Sequence, residues 1–386
     1  MSTVIPGPGQ LSSGEFHLAD PDRAAEIERR QGLINDFLTE QKLDALLLTK
    51  PSNFAWFTVG ADSSRGSWSD VTASLFLTQD ARVIATRNTN SGQIFDQEVS
   101  GLGFQLKERL WQEGRDVLMS DLCRGRTVGC DAPFERCLDL SMHLGGLRLP
   151  LSKFEMRSLR ETGALVAHAV EATARRLDRG ETEAEIAGQL AHRMLRHNIW
   201  PERIQVLADG QSNLYRHWSF GEDPVEKFCT IVAIGRRNGL HVGTSRTVSF
   251  GAPPKQLRES HLSCLLVQAT ALFFTQRDWE IFETWKRVER IYEKFGHSEE
   301  WHFADQGSVM GYEVSEAPIC PTSQYRFSVG DPVYWHPSIG PALAADTILI
   351  KPKGFEVLTP MESWPQVEVD VKGIAIPRPD ILLRPE

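Results

Sequence analysis

Phe228-Cys-Thr-Ile-Val-Ala-Ile-Gly235 and Gly239-Leu-His-Val-Gly-Thr-Ser-Arg-Thr-Val248 are the stretches on which the fold turns. Both are short and rich in apolar residues, and both read as strands, as does Arg203–Ala208 just before them. Upstream, Lys153–Asp178 reads as one long helix with Met156, Leu159, Val166, Val170, Ala174 and Leu177 on its apolar face. Gly163 is the one glycine inside it, and Gly180 stops it. Thr182-x-x-Glu185 is a capping box that opens the next helix, to about His197. Downstream, a helical block spans Pro254–Phe295 and a strand-rich part runs from Gly311 to Thr359. The tail after Pro360 holds Pro365, Pro377, Pro379 and Pro385, which predicts an extended surface segment.

Toward the N-terminus the pattern is different. From Pro21, Ala24, Ile27, Ile34 and Leu38 form a helical stripe with Asp22 near its start. Asp44–Thr49, Ala73–Thr78, Arg82–Thr86 and Thr127–Cys130 are buried-strand candidates, alternating with helical stretches at Ser91–Val99 and Phe134–Leu144. That alternation predicts an α/β domain ending near Pro150.

Bulk properties narrow the function classes. A chain of 386 residues with 41% hydrophobic and 24% charged residues suits two globular domains, not a disordered chain. A formal charge of −9 argues against a nucleic-acid partner, which needs a basic face to displace counterions. No apolar run reaches the roughly 20 residues of a membrane helix, so no membrane partner is expected. Met1–Asp20 is rich in Gly, Pro and Ser, lacks the apolar core of a signal peptide, and is expected to be a flexible segment. Cys123, Cys130, Cys137, Cys229, Cys264 and Cys320 form no CxxC pair and read as reduced thiols of a cytoplasmic protein.

Six features, in order, resemble the creatinase, prolidase and aminopeptidase P family. Ser152–Arg160 with Arg179–Ala187 resembles its two opening helices, and Gly239–Val248 its GYxSDxTRTV strand. Gly311-Tyr-Glu-Val-Ser-Glu-Ala-Pro318 sits where that family has GLxxHEAP. Val329–Pro337 and Ala345–Ile350 resemble GMVFTIEPG and EDTVLV, with Gly354–Thr359 completing the order. The resemblance covers about residues 22–360 and implies an α/β plus α+β architecture. It divides into a flexible segment at 1–20, a ribonuclease-H-like α/β domain at 21–150, a pita-bread domain at 151–360 and a tail at 361–386. It also implies a homodimer in which the N-terminal domain of one subunit closes the other's site.

Metallopeptidases of this fold hold two divalent metals through two Asp, one His and two Glu, which activate a bridging water. Carried over residue by residue, those positions are Val232, Gly243, Ser308, His336 and Ala345. No carboxylate remains among them, so no metal or other cofactor is expected. A register slip before Ser308 would bring Asp305 or His302 to that corner.

Creatinase implies another chemistry, because it works without metal through an acid–base His. Asp209-Gly-Gln-Ser-Asn-Leu-Tyr-Arg-His217 resembles the placement of that residue, making His217 the candidate catalyst, with an imidazole suited to neutral pH. Arg236, Arg237, His241, His336 and Tyr312 are candidate substrate-binding residues. Arg and His in place of carboxylates favour a small anionic ligand, carboxylate or phosphate. Arg246 corresponds to the Arg of TRTV and is expected to be structural. Asn53–Arg65 resembles the family's NxxYxTG segment, which makes Asp62 and Arg65 candidates for contacts to a partner subunit. The expected function is metal-independent acid–base chemistry on a small nitrogen-containing or carboxylated molecule, by a hydrolase or lyase. The alternatives are a non-catalytic binding module and an atypical Xaa-Pro peptidase.

Overall fold

The computed structural model describes residues 20–385, which divide into two compact units at Leu144/Gly145. The expected flexible segment at 1–20 falls, but for Asp20, outside the described residues.

The smaller unit runs α1 (Pro21–Gln41), β1 (Ala45–Leu48), α2 (Pro51–Thr58), β2 (Ser64–Arg65), β3 (Ser67–Val71), β4 (Ala73–Leu77), β5 (Arg82–Arg87), α3 (Asn88–Gln93), β6 (Gln105–Arg109), α4 (Arg115–Cys123), β7 (Val128–Cys130) and β8 (Leu138–Asp139). α5 (Ser141–Leu147) follows at the division. The six-stranded sheet has the order β6-β5-β4-β1-β7-β8 and mixes parallel and antiparallel pairs. β1 and β4 are buried along their whole length, which is why they read as unbroken apolar runs. Asp20 caps α1 by accepting from the Asp22 N–H at 2.9 Å. Two helical expectations need correction. Phe134–Leu144 is not one helix: Glu135 has φ +41, Leu138–Asp139 pairs with β7, and helix begins only at Ser141. Ser91–Val99 is helical only to Gln93 before opening into a wider π-type turn at Ile94–Glu98.

The larger unit begins with α6 (Lys153–Arg176) and α7 (Glu183–Leu195), followed by β9 (Trp200–Ala208), β10 (Phe228–Arg237) and β11 (Leu240–Phe250). Next come α8 (Lys255–Phe274), α9 (Ile281–Lys294), β12 (Gly307–Val309), β13 (Ala317–Pro318), β14 (Pro332–Trp335), β15 (Ser338–Ile339), β16 (Ala342–Leu343), β17 (Asp346–Ile350) and β18 (Phe355–Val357). Both helix starts expected from Ser152 and Thr182 carry reciprocal capping boxes, Ser152 with Glu155 and Thr182 with Glu185. The main sheet runs β13-β12-β14-β17-β11-β10-β9, and β18 pairs with β17. Its core joins Trp285, Tyr292 and Trp335 to the apolar faces of α8 and α9.

The tail is not simply an extended segment. β19 (Gln366–Val371) and β20 (Ile374–Pro379) form an antiparallel hairpin turned by Lys372 and Gly373, both at positive φ. β21 (Leu382–Arg384) adds to β11 in parallel. Val371 and Ile376 pack with Ala269 of α8, a burial that outweighs the strand-breaking tendency of the prolines.

The buried titratable groups make a pH prediction. His241 and His261 are held neutral, because burial pushes both down from 6.5 to about 4. Between those values the unfolded chain takes up protons that the folded chain refuses, so their contribution is full above about pH 6.5 and is lost toward pH 4. Asp331 acts in the opposite sense: burial raises it to about 6, so it favours the folded state more as pH falls from 6 toward 4. Two histidines outweigh one aspartate. Calorimetry is expected to show a lower Tm at pH 5 than at pH 7.5, by a net loss on the order of 2 kcal/mol. A Tm that holds or rises would contradict these burial states.

Candidate functional site

The β10–β11 hairpin sets the site's frame, with Ile234 opposite Gly243 and Val232 opposite Ser245. β14 lies between β12 and β17, so Ser308 faces Tyr334 and Trp335 faces Asp346. Val232 and Ala345 belong to an apolar cluster with Leu207, Ile234, Met310, Tyr334 and Leu343. The ring of Tyr334 occupies the room beside Gly243, where an added Cβ would stand 2.8 Å from the Tyr334 Cε2 atom. Burial pushes the Tyr334 phenol well above its ordinary value, so it stays protonated. Ser308 donates its hydroxyl to the Val314 carbonyl at 2.8 Å.

Beside this apolar floor three polar side chains meet. The Asp305 carboxylate lies 2.8 Å from His217 Nε2 through one oxygen and 3.4 Å from His336 Nε2 through the other. Hydrogen bonds from His217 and then His336 hold the Asp305 carboxyl far below the usual range, so it is ionised throughout the working pH. Each imidazole in this arrangement donates through Nε2, which leaves Nδ1 as the basic nitrogen when the ring is neutral. His336 is nearly buried and stacks at 4.7 Å on Tyr334, whereas His217 and Asp305 are half exposed.

The loop carrying His217 is pinned on both sides. It is not itself a strand: Asp209, at positive φ, turns the chain out of β9 and accepts from the N–H groups of Glu226, Lys227 and Phe228. Buried Glu183 accepts from Trp218 Nε1 and Gly221 N, both at 2.7 Å, and from Ala208 N at 2.9 Å. Arg216 binds Glu300 at 2.7 Å and donates to the Gly340 carbonyl at 2.8 Å. The residues flanking His217 therefore tie its loop to α7 and to the turn that precedes Asp305.

The other candidates lie elsewhere. His241 is buried with Nδ1 at 3.0 Å from the Gly311 carbonyl. Arg236 is buried and ion-paired with Glu202 at 3.1 Å, while Arg237 ends β10 half-buried. Tyr312 is buried. Arg236 and His241 stand opposite each other in the β10–β11 register. His302 pairs with Glu299 at 3.3 Å in an exposed turn. In the smaller unit, Asp62 accepts from Ser64 and Arg65 donates to Asn90 at 3.0 Å. Arg246, expected to be structural, is buried between Glu171 at 3.0 Å and Asp346 at 3.2 Å. Tyr334, Glu183 and Arg216 lay inside matched segments, but nothing in the sequence singled out their roles. Asp305 was legible only as a possible register slip before Gly307-Ser308.

Residues 157–352 match the model of metallopeptidase family M24. This chain belongs to that family. No curated protein sequence matches it. Among solved structures, M24-type architecture covers nearly the whole chain. A dipeptidase PepE from Mycobacterium ulcerans aligns at TM-score 0.75 and 14% identity over 94% of this chain and 99% of its own. An Xaa-Pro dipeptidase from Bacillus anthracis gives 0.72 and 18%, over 94% and 100%. Aminopeptidase P from E. coli gives 0.68 and 17%, over 87% and 94%. These likenesses establish the pita-bread domain and the preceding α/β domain.

The M24 scaffold here does not fit a pair of divalent cations. Such ions need carboxylate and imidazole donors. The five corresponding positions offer a valine and an alanine inside an apolar cluster, a glycine against an aromatic ring, a serine bonded to backbone and one imidazole. Among the described residues, no group of three or more His, Cys, Asp or Glu side chains is arranged to hold a metal ion. Nor is any described helix long and apolar enough to cross a membrane.

Proposed function

We propose that this M24 protein performs metal-independent acid–base chemistry on a small nitrogen-containing or carboxylated molecule at His217, Asp305 and His336. The observation that supports the reading is the single ionised carboxylate bridging two imidazoles at 2.8 and 3.4 Å. Such a bridge orients both rings and stabilises the imidazolium formed when either takes a proton. His217, at half exposure, is the group that meets an incoming molecule; nearly buried His336 holds Asp305 in place. The neighbouring Tyr334 hydroxyl, kept protonated, is a hydrogen-bond donor to the same ligand. Acid–base groups of this kind contribute about 10²–10⁴-fold to a rate.

The test is metal analysis of the purified protein together with turnover of a panel of amidines, N-acyl amino acids and Xaa-Pro dipeptides in chelator. Turnover that survives chelation and falls at least about 100-fold in His217→Ala and Asp305→Asn, with the fold retained, is the expected result. A stoichiometric divalent metal, or activity abolished by chelation, would instead favour an atypical Xaa-Pro dipeptidase of the kind the solved relatives are named for. A second reading, a non-catalytic binding module, draws on exposed Leu214, Tyr215 and Phe303 around the cluster. The homodimer implied by the resemblance belongs to the same proposal and is read by sedimentation equilibrium.

A further inference from the structure

Cys123, Cys130 and Cys137 recur at seven-residue intervals, and the smaller unit gathers them at one point. Cys123 ends α4, Cys130 ends β7, and Cys137 lies in the segment leading to β8. The Sγ atoms of Cys123 and Cys137 are 3.8 Å apart, and Cys137 also meets the Cys130 thiol. Cys130 is buried; Cys123 and Cys137 are partly exposed and line a cavity of about 650 Å³. Arg124, Arg126, Arg136 and Glu135 line the same cavity, and Arg124 also pairs with Asp121 at 2.5 Å. Arg136 is exposed on its rim, and Arg126 anchors to the Leu122 carbonyl with its guanidinium over the Phe76 ring.

We propose that Cys123 and Cys137 are a redox-active dithiol that reduces a small anionic disulfide held by these arginines. The Cys137 thiolate attacks one sulfur of the bound disulfide, forming a mixed disulfide and expelling one thiolate, which takes up the proton Cys137 released. Cys123 then gives up its proton and attacks the Cys137 sulfur. The Cys123–Cys137 bond forms, the mixed disulfide breaks, and a second small thiol leaves. Two protein thiols are oxidised, one disulfide is reduced to two thiols, and no other reactant is required. Cys137 leads because it is partly exposed and touches both other thiols. Burial raises both thiols, but hydrogen bonds from Cys123 and Cys130 offset part of that at Cys137, whereas Cys123 is pushed up to about 12 and reacts with the neighbouring mixed disulfide. The cavity's excess of guanidinium groups selects carboxylate-bearing disulfides.

The test incubates the full-length protein with oxidised glutathione, alkylates the remaining thiols and maps peptides without reduction. A Cys123–Cys137 link is expected, with Cys229 and Cys264 still alkylated only after unfolding. Cys130→Ser is expected to keep the link. Cys123→Ser is expected to trap a glutathione adduct on Cys137. The neutral hydroxyethyl disulfide should react at least about tenfold more slowly, and Arg124→Gln/Arg136→Gln should remove that difference. Six thiols left unlinked, a link through any other cysteine, or equal rates for the charged and neutral disulfides would overturn the proposal.

Discussion

Replacing Arg246 with methionine is expected to destabilise the larger unit by about 3–5 kcal/mol, the range for breaking a buried ion pair by removing one partner. Arg246 is buried and lies between Glu171 and Asp346, which are buried as well. It also donates to Thr244 Oγ1 and the Ser245 carbonyl at 2.8 Å, and to the Thr359 carbonyl at 3.2 Å. Asp346 keeps Arg378 at 3.0 Å and Glu171 keeps Arg175 at 2.8 Å, so the loss falls toward the lower end of the range. Methionine fills much of the volume but returns no charge and no donors. Urea denaturation followed by circular dichroism measures the change; a loss below about 1 kcal/mol would mean that the network is no stronger than a surface pair. This arginine joins α6, β11 and β17 through its pairs with Glu171 and Asp346.

Gly163→Ala is the second large effect, and two physical terms predict opposite signs for it. In an exposed helix interior, alanine is better than glycine by about 1 kcal/mol. At position 163, however, an added Cβ would stand 2.1 Å from the Leu358 carbonyl oxygen and 2.9 Å from its carbonyl carbon. That obstacle is backbone, so α6 or the chain after β18 must shift, and overpacking costs typically 1–3 kcal/mol or more. A backbone obstacle at 2.1 Å puts the cost at the top of that range, so a net loss of about 2 kcal/mol remains once the helix gain of about 1 kcal/mol is subtracted. Gly188→Ala in α7 is the matched control, because nothing lies within 4 Å of the Cβ it would add. It is expected to gain about 0.5–1 kcal/mol. If both substitutions stabilise, the close approach of α6 to Leu358 is wrong.

These two glycines mark the limit of sequence reading. Both interrupt helical patterns and look alike along the chain, yet only one has a carbonyl against it. The same limit applies at the site. His217 and His336 were visible as residues in motif positions, and the missing carboxylates were visible as Val232, Gly243 and Ala345. The bridge between the two histidines was not, because it joins a loop, a turn and a strand end that are far apart in the chain. Arg236 and His241 stood next to motif residues, but their pairing with Glu202 and with the Gly311 carbonyl was not legible, because adjacency along a strand does not tell which face a side chain takes.

The sequence alone determined what depends on local chemistry and order. Capping boxes start the two opening helices, apolar runs form the central strands, and ordered motifs place the chain in its family without its metal-binding carboxylates. Tertiary structure decided everything that depends on distance. It put the Tyr334 ring into the space beside Gly243, set Asp305 between two imidazoles, and brought together three cysteines that read as scattered thiols. The physical reason is common to all three. Whether a side chain fills a space, shares a proton or meets another thiol depends on ångström separations between segments remote in sequence, and only packing sets those.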